Sequence, residues 1–133
     1  MNDNFSKDQL LTLFKAKEYG LFEKNAQRFL KYQNDKEILI LLSETYIEKQ
    51  KFNSARKLLL EVIEIEGQSS SAMMNLGRLY FIANKSKDSK IIYSEILKKD
   101  SKSIGALEGL ALNCMKLKKF KNAILYLKEI INI

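Results

Sequence analysis

Residues 36–69 read KEILILLSETYIEKQKFNSARKLLLEVIEIEGQS, and this pattern returns twice in weaker form at a constant step of about 34 residues. Leu42 is followed at this step by Leu76 and Leu110, and the next residue is small each time. The same step relates five more sets: Leu39, Met73 and Leu107; Tyr46, Tyr80 and Cys114; Ala55, Ser89 and Ala123; Leu59, Tyr93 and Leu127; Val62, Ile96 and Ile130. A period of this length indicates stacked supersecondary units that form a solenoid.

Each unit contains two amphipathic stretches whose apolar residues recur at helical spacing. The predicted helices cover 38–49, 53–65, 72–83, 88–99, 104–117 and 122 to the end. Asp35 is a suitable N-cap for the first of them, Gly67 suits the end of the second, and Ser69–Ser71 could cap the third. Because glycine within a helix costs about 1 kcal/mol relative to alanine, Gly77 indicates a place where two helices approach closely.

Residues 1–35 predict a degenerate leading helical hairpin. Ser6 could cap its first helix, Gly20 is expected to break it, and a second helix is predicted over 21–33. The register of this hairpin slips by about five residues against the repeat, which is typical of terminal units that cap an array.

Composition supports a helical chain, since 133 residues contain no proline and five glycines. The net charge of +7 lies wholly in the second half: residues 1–69 hold 11 basic and 11 acidic side chains, whereas residues 70–133 hold 12 and 5. A single cysteine excludes an internal disulfide framework. No apolar run approaches the roughly 18 residues of a membrane span, and the polar start lacks the features of a signal peptide. These features predict a soluble, cytoplasmic chain.

The residues needed for most enzyme chemistry are missing. The chain has no histidine, and its one cysteine cannot form a zinc site. No glycine-rich loop suited to phosphate binding is present. Cys114 stands at a repeat position of the core, which favours packing over nucleophilic chemistry. We therefore predict no catalytic residue, no metal, no cofactor and no enzymatic activity.

The repeated pattern resembles the tetratricopeptide repeat, a helix-turn-helix unit of about 34 residues. The resemblance is strong over 36–133 and weak over 7–35. It implies an all-α fold, a right-handed α-solenoid of about eight helices. Its units would be residues 1–35, 36–69, 70–103 and 104–133, with no capping helix after the last. The proline that often ends such a unit is missing from every copy.

In this family, the first helix of each unit lines a concave groove. By register, the groove residues would be Glu37, Ile40, Glu44, Ile47 and Glu48, then Met74, Asn75, Arg78 and Phe81, then Glu108, Leu112, Met115 and Lys116. Ile40 and Glu44 stand where a clamp for a peptide carboxylate would need lysine and asparagine, so that role is disfavoured. The predicted groove has an apolar floor with acid at one end and base at the other, which suits an amphipathic helix or an extended segment. Ile47 and Phe81 fit packing between helices equally well.

A lysine-rich edge is the second candidate surface. Lys51, Lys85 and Lys119 are separated by the repeat step and fall at the turns within each unit, and further lysines lie beside them: Lys49, Lys87, Lys118 and Lys121. Nucleic acid, an acidic protein or lipid headgroups could bind there, although exposed lysines also simply keep a turn soluble. Phe120 is the only neighbouring aromatic residue and is assigned to the core, which disfavours stacking of single-stranded nucleic acid.

The last predicted helix is apolar on a face that would receive the next unit of an array. We expect the chain to be a piece of a longer protein, with burial by a partner or self-association of a second copy as alternatives. The predicted function is a non-catalytic scaffold that binds a protein or peptide within a larger assembly, such as a bacterial secretion, envelope or motility machine. The alternative is a repeat that binds anions or nucleic acid through its lysine-rich edge.

Overall fold

The computed structural model describes residues 4–67 and 70–133, and all regular structure in these two ranges is α-helical. Each predicted helix occurs in them, with ends within three residues of those expected. Ser69, one of the expected capping residues, lies outside the described residues, and Ser70 begins a helix. The helices are α1 Lys7–Lys15, α2 Tyr19–Leu30, α3 Lys36–Glu48, α4 Phe52–Glu66, α5 Ser70–Ile82, α6 Ser86–Lys99, α7 Ile104–Lys116 and α8 Phe120–Ile131.

The chain divides into two compact units, residues 1–67 and residues 68–133. Unit 1 contains α1 to α4, and unit 2 contains α5 to α8. Within each unit, every helix packs against the next one along the chain, and α7 also contacts α5. The repeat positions supply the core, since Leu39, Leu42, Leu76, Leu107 and Leu110 are all buried. Burial of these stripes stabilises helices that would be marginal alone in water.

Side chains cap three helices at the positions that polar residues predict. The Asp35 carboxylate accepts a hydrogen bond from the Ile38 N–H at 3.1 Å, which confirms its predicted role. Ser6 and Gln9 form a capping box at the start of α1. Ser103 accepts from the Ala106 N–H at 3.2 Å and starts α7. Such caps are each worth about 1 kcal/mol because they satisfy N–H groups that the helix leaves open.

The four turns within the helix pairs share one backbone conformation. Lys17, Gln50, Asn84 and Lys118 all have a φ of 60° to 62°, in the left-handed region. After each of them, the next N–H donates to a carbonyl five residues back, as from Lys51 to Tyr46 at 2.8 Å. This is the Schellman arrangement that closes a helix C-terminus. The polar residues that follow each first helix are therefore turn residues.

The leading hairpin differs from the prediction in two respects. Gly20 lies inside α2, so the expectation that it breaks the helix was wrong; the turn falls at residues 16–18. The interval from Lys17 to Gln50 is one residue shorter than the interval from Gln50 to Asn84, so this turn departs from the repeat by one residue and not by about five. The turn residues, which are polar and alike, mark the register of this hairpin better than its altered apolar residues do.

The centre of unit 2 is the Tyr93 ring, which extends from α6 between two glycines. A methyl group at Gly77 on α5 would lie 2.8 Å from this ring, and one at Gly109 on α7 would lie 2.7 Å from its Cδ2 atom. Both distances are well below van der Waals contact, so neither position accepts alanine without movement. The close approach predicted at Gly77 is confirmed. Burial raises the pKa of the Tyr93 hydroxyl, opposed by the charge of Arg78.

A buried polar network crosses unit 2 beside this ring. The Ser89 hydroxyl donates to the Gly77 carbonyl at 2.8 Å and accepts from the Asn113 Nδ2 at 2.9 Å. The same Nδ2 donates to the Gly109 carbonyl at 3.1 Å. The repeats at 36–69 and 104–133 have alanine, Ala55 and Ala123, at the position of Ser89. This serine departs from the repeat because it joins α5, α6 and α7 through hydrogen bonds.

We predict that Gly109→Ala destabilises the protein by about 1–3 kcal/mol, because the added methyl overlaps the Tyr93 ring. Urea denaturation followed by circular dichroism measures the change. Tyr93→Leu restores the leucine that the other two repeats have at this position. In that background, Gly109→Ala should be neutral or should stabilise the protein by up to about 1 kcal/mol, because alanine favours a helix more than glycine does. Gly20→Ala is the matched control, since a methyl at Gly20 meets nothing within 4 Å. Equal effects of Gly109→Ala in both backgrounds would contradict the overlap.

We predict that Ser89→Ala lowers the free energy of unfolding by about 1–3 kcal/mol, because it removes partners from the buried Gly77 carbonyl and Asn113 amide. Adding Asn113→Leu to the Ser89→Ala variant should recover part of the lost free energy of unfolding, because alanine and leucine at these positions leave fewer buried polar groups without partners. The measurement is a double-mutant cycle on unfolding free energies. Strict additivity of the two substitutions would show that Ser89 and Asn113 are not coupled.

Candidate functional site

The predicted groove residues of unit 2 form two stripes, one on α5 and one on α7. Glu108, Leu112, Met115 and Lys116 recur at helical spacing and are all exposed. The side chains of Leu112 and Met115 are each about half exposed, although both are large and apolar. The α5 stripe, which consists of Met74, Asn75, Arg78 and Phe81, is partly exposed. Unit 2 therefore presents an apolar surface on the side of its first helices.

Direct contacts hold the two stripes together. The Lys116 ammonium donates to the Phe81 carbonyl at 2.8 Å and lies 4.5 Å from the centroid of the Phe81 ring. The Lys116 ammonium thus binds at the C-terminus of α5, where the exposed carbonyl groups and the Phe81 ring both attract a cation. Near the other end, the Met74 Cε lies 2.6 Å from the place of a Gly105 methyl. Gly105 leaves room for the Met74 side chain.

A pocket of about 330 Å³ adjoins the groove at the N-terminal end of α7. Met73, Met74 and Ile96 supply its apolar lining, while Lys99 and Asp100 supply charge. The volume is large enough to receive a bulky side chain of a ligand. Methionine adapts its shape easily, which suits a pocket that accommodates different apolar groups.

The groove residues predicted in unit 1 have mixed environments. Ile47 is only 2 % exposed and belongs to the core, so it offers no surface to a ligand. Ile40 and Glu44 are partly exposed, and Glu37 and Glu48 are exposed.

Lys7 organises the acidic end of this unit. Its ammonium lies 3.0 Å from the Asp35 carboxylate and 3.4 Å from the Glu37 carboxylate. Burial raises the pKa of Asp35, but hydrogen bonds from the Ile38 N–H and Lys7 outweigh it and hold that pKa below its ordinary value. The hydrogen bond to Asp35 raises the pKa of Lys7. Part of the acidic charge expected at the groove is therefore balanced by Lys7.

The lysine-rich edge differs between the units. In unit 1, Lys49 and Lys51 lie 3.3 Å and 3.8 Å from the carboxylate of Glu23 on α2, which offsets part of their combined charge. Lys51 also lies 5.8 Å from the Tyr46 ring. In unit 2, the edge lysines form no ion pair with any described residue; they are Lys85, Lys87, Lys118, Lys119 and Lys121. Most of the uncompensated positive charge of the edge thus lies in unit 2.

Phe120 corrects one prediction about this edge. The sequence assigns its ring to the core, but the side chain is 57 % exposed at the first position of α8. Leu117, on the other side of Lys118 and Lys119, is 50 % exposed. Large exposed apolar side chains therefore lie among the lysines of the α7–α8 turn. Sequence reasoning missed this because the repeat pattern predicts burial at position 120.

The α8 helix also exposes apolar side chains along its length: Ile124, Leu125, Leu127 and Ile131. Leu127 occupies the same repeat position as Tyr93, but the Tyr93 ring is covered by α7. Among the described residues, no helix is long and apolar enough to cross a membrane. The described ranges also contain no cluster of three His, Cys, Asp or Glu side chains able to hold a metal ion.

Comparison with known proteins identifies the repeat. Residues 36–69 match the family model of the tetratricopeptide repeat. No curated protein sequence matches the chain. A crystal structure of MamA superposes with a TM-score of 0.81 at 18% identity, over 97% of this chain and 76% of that chain. A second crystal structure of MamA protein gives 0.82 at 14% identity, over 94% and 69%. At this identity the likeness shows the fold alone: an all-α helical repeat, in which residues 36–69 match the tetratricopeptide repeat, as the sequence predicts.

Proposed function

We propose that this protein is a non-catalytic scaffold that binds a peptide or helix of a partner protein, as part of a larger assembly. The observation that carries the proposal is the apolar surface of unit 2, where Leu112 and Met115 are half exposed on the side of α5 and α7. Exposed apolar side chains that share one face mark interaction sites more often than chance. Proteins with tetratricopeptide repeats bind protein partners, which agrees with this assignment.

The chemistry of the surface favours an amphipathic ligand. Leu112, Met115 and Phe81 offer apolar contacts along about two helical turns, while Glu108 supplies a charge at one side. An amphipathic helix presents its apolar residues at the same spacing, which allows it to lie along the surface. The adjoining pocket could accept one larger side chain, because Met73, Met74 and Ile96 line it.

The apolar contacts should dominate affinity. Lys116 is engaged with the Phe81 carbonyl and ring, so it contributes less to charge recognition than its sequence position suggests. Binding through desolvated apolar side chains depends weakly on salt, whereas binding through exposed charges is screened. We therefore infer that the partner's affinity for the groove changes little with ionic strength.

A photo-crosslinking experiment tests the surface. A photoreactive residue in place of Leu112 should crosslink to one discrete partner in cells, whereas the same residue in place of Ile91 should not. Ile91 is exposed on α6, away from the two stripes, and serves as the matched control. Equal crosslinking from both positions would contradict a specific groove.

Substitution then tests the energetics with the purified partner. Leu112→Ser with Met115→Ser should weaken binding by roughly 10- to 100-fold, because each side chain has about half of its apolar area left to bury. Both residues are half exposed, so stability should change little. The control pair is Ile65→Ser with Ile91→Ser, on exposed positions of α4 and α6. Titration calorimetry measures the affinities, and undiminished binding of the Leu112/Met115 variant would disprove the proposed site.

A further inference from the structure

The strongest surface outside the groove is one end of unit 2, formed by the α5–α6 turn and the α7–α8 turn. The hydrogen bond from Lys116 to the Phe81 carbonyl, 2.8 Å long, ties the C-terminus of α5 to the C-terminus of α7. Both turns therefore lie at the same end of the unit. We call this surface the lysine-rich end and define it as residues 82–90 and 116–121.

The lysine-rich end carries a strong positive charge. It contains seven lysines and a single acidic residue, Asp88. Lys116 is bound to the Phe81 carbonyl, and the other six form no ion pair with a described residue. In unit 1, by contrast, Glu23 lies against the lysines of the corresponding turn. The positive charge of the lysine-rich end thus remains available to an anionic partner.

Large apolar side chains stand among these lysines. Leu117 is 50 % exposed and Phe120 is 57 % exposed, with Lys118 and Lys119 between them and Lys121 after them. Ile82, the last residue of α5, is also exposed at the neighbouring turn. Exposed apolar residues at a turn are unfavourable in water, and no described residue covers them. The surface therefore combines a high positive charge with exposed apolar side chains, and contact with water alone leaves the apolar part unfavourably exposed.

We propose that the lysine-rich end docks on the surface of an anionic lipid bilayer. Leu117 and Phe120 enter the boundary between headgroups and acyl chains, and Lys118, Lys119 and Lys121 contact the lipid phosphates. Lysine suits this role because its long apolar stem follows the buried side chains while its ammonium stays among the headgroups. Basic residues near an anionic leaflet and apolar residues inserted a few ångströms into it act together in peripheral binding.

The composition of the surface favours lipid over nucleic acid. Two of its three exposed apolar side chains, Ile82 and Leu117, are aliphatic and cannot stack on bases. Binding of single strands without sequence preference relies on several aromatic rings along a basic groove. Phe120 is the single aromatic residue of the two turns.

A fluorescence experiment tests insertion directly, because the natural chain contains no tryptophan. Phe120→Trp places one reporter at the proposed depth, and its emission should move to shorter wavelength when phosphatidylserine-containing vesicles are added. Pure phosphatidylcholine vesicles should cause no shift. The control is Tyr32→Trp in unit 1, whose side chain is 81 % exposed and far from any lysine turn of unit 2 in sequence. A shift at both positions, or at neither, would overturn the proposal.

Vesicle sedimentation tests the two kinds of contact separately. Lys119→Gln and Lys121→Gln should each weaken binding to the same vesicles by about fivefold. Leu117→Ser with Phe120→Ser should also weaken it, since adsorption by charge alone lacks the inserted area. Circular dichroism of each variant checks that the helices are intact. Binding that is unaffected by the serine pair would exclude insertion.

Two further outcomes name rival occupants. If the Phe120→Trp emission shifts with protein concentration in the absence of vesicles, a second copy of the chain covers the surface and the proposal is wrong. If a single-stranded oligonucleotide produces the shift and phosphatidylserine vesicles do not, the partner is nucleic acid. Both measurements use the intact chain at physiological salt, where weak adsorption by charge is reduced.

Discussion

The position of the Tyr93 ring between Gly77 and Gly109 is the constraint on which the rest of unit 2 depends. One aromatic side chain from α6 fills the space that two missing side chains leave on α5 and α7. A ring that both glycines approach this closely holds three helices at a defined separation. That separation lets Lys116 reach the Phe81 carbonyl and places Met74 over Gly105. The groove and the lysine-rich end are therefore both consequences of the packing around one residue.

The departures of the 70–103 repeat from the common pattern compensate one another. The other two repeats have leucine, Leu59 and Leu127, where the 70–103 repeat has Tyr93. They have Ser43 and Ala111 where it has Gly77. The larger residue on α6 goes with the smaller residue on α5, because the sum of their volumes must fit the same gap. Ser89 likewise goes with Asn113 of the next repeat, whose Nδ2 donates to both the Ser89 hydroxyl and the Gly109 carbonyl. The 70–103 repeat is thus a self-consistent variant of the pattern and not a decayed copy.

Much of the fold follows from the sequence because its determinants are local or periodic. Asp35 predicts a helix start since a carboxylate can accept the hydrogen bond of an N–H three residues later. The repeat step predicts the core, as the burial of Leu76 and Leu107 shows. Gly20 was misleading because glycine near a helix start meets no neighbour and is tolerated there.

The site residues were harder to predict, because exposure depends on the helices that stand beside a residue. Ile47 has the register of a groove residue but is buried, while Phe120 has the register of a core residue but is exposed. The role of Lys116 depends on the distance between α5 and α7, which a linear pattern does not contain. Periodicity can assign a side chain to a face of its helix, but only packing decides whether that face meets solvent.

The distribution of charge in unit 2 separates its two surfaces in their physical behaviour. Lys116 is the one lysine of α7 that could have made the groove basic, yet its ammonium is bound at the end of α5. In the proposed groove, the exposed apolar area of Leu112 and Met115 remains, and contacts through such area vary little with salt. Apart from Lys116, the lysines of the lysine-rich end form no ion pair with a described residue, so the attraction of an anionic partner there would weaken as ionic strength rises. If both proposals hold, ionic strength separates the two surfaces: binding at the lysine-rich end should weaken as salt rises, whereas binding at the groove should not.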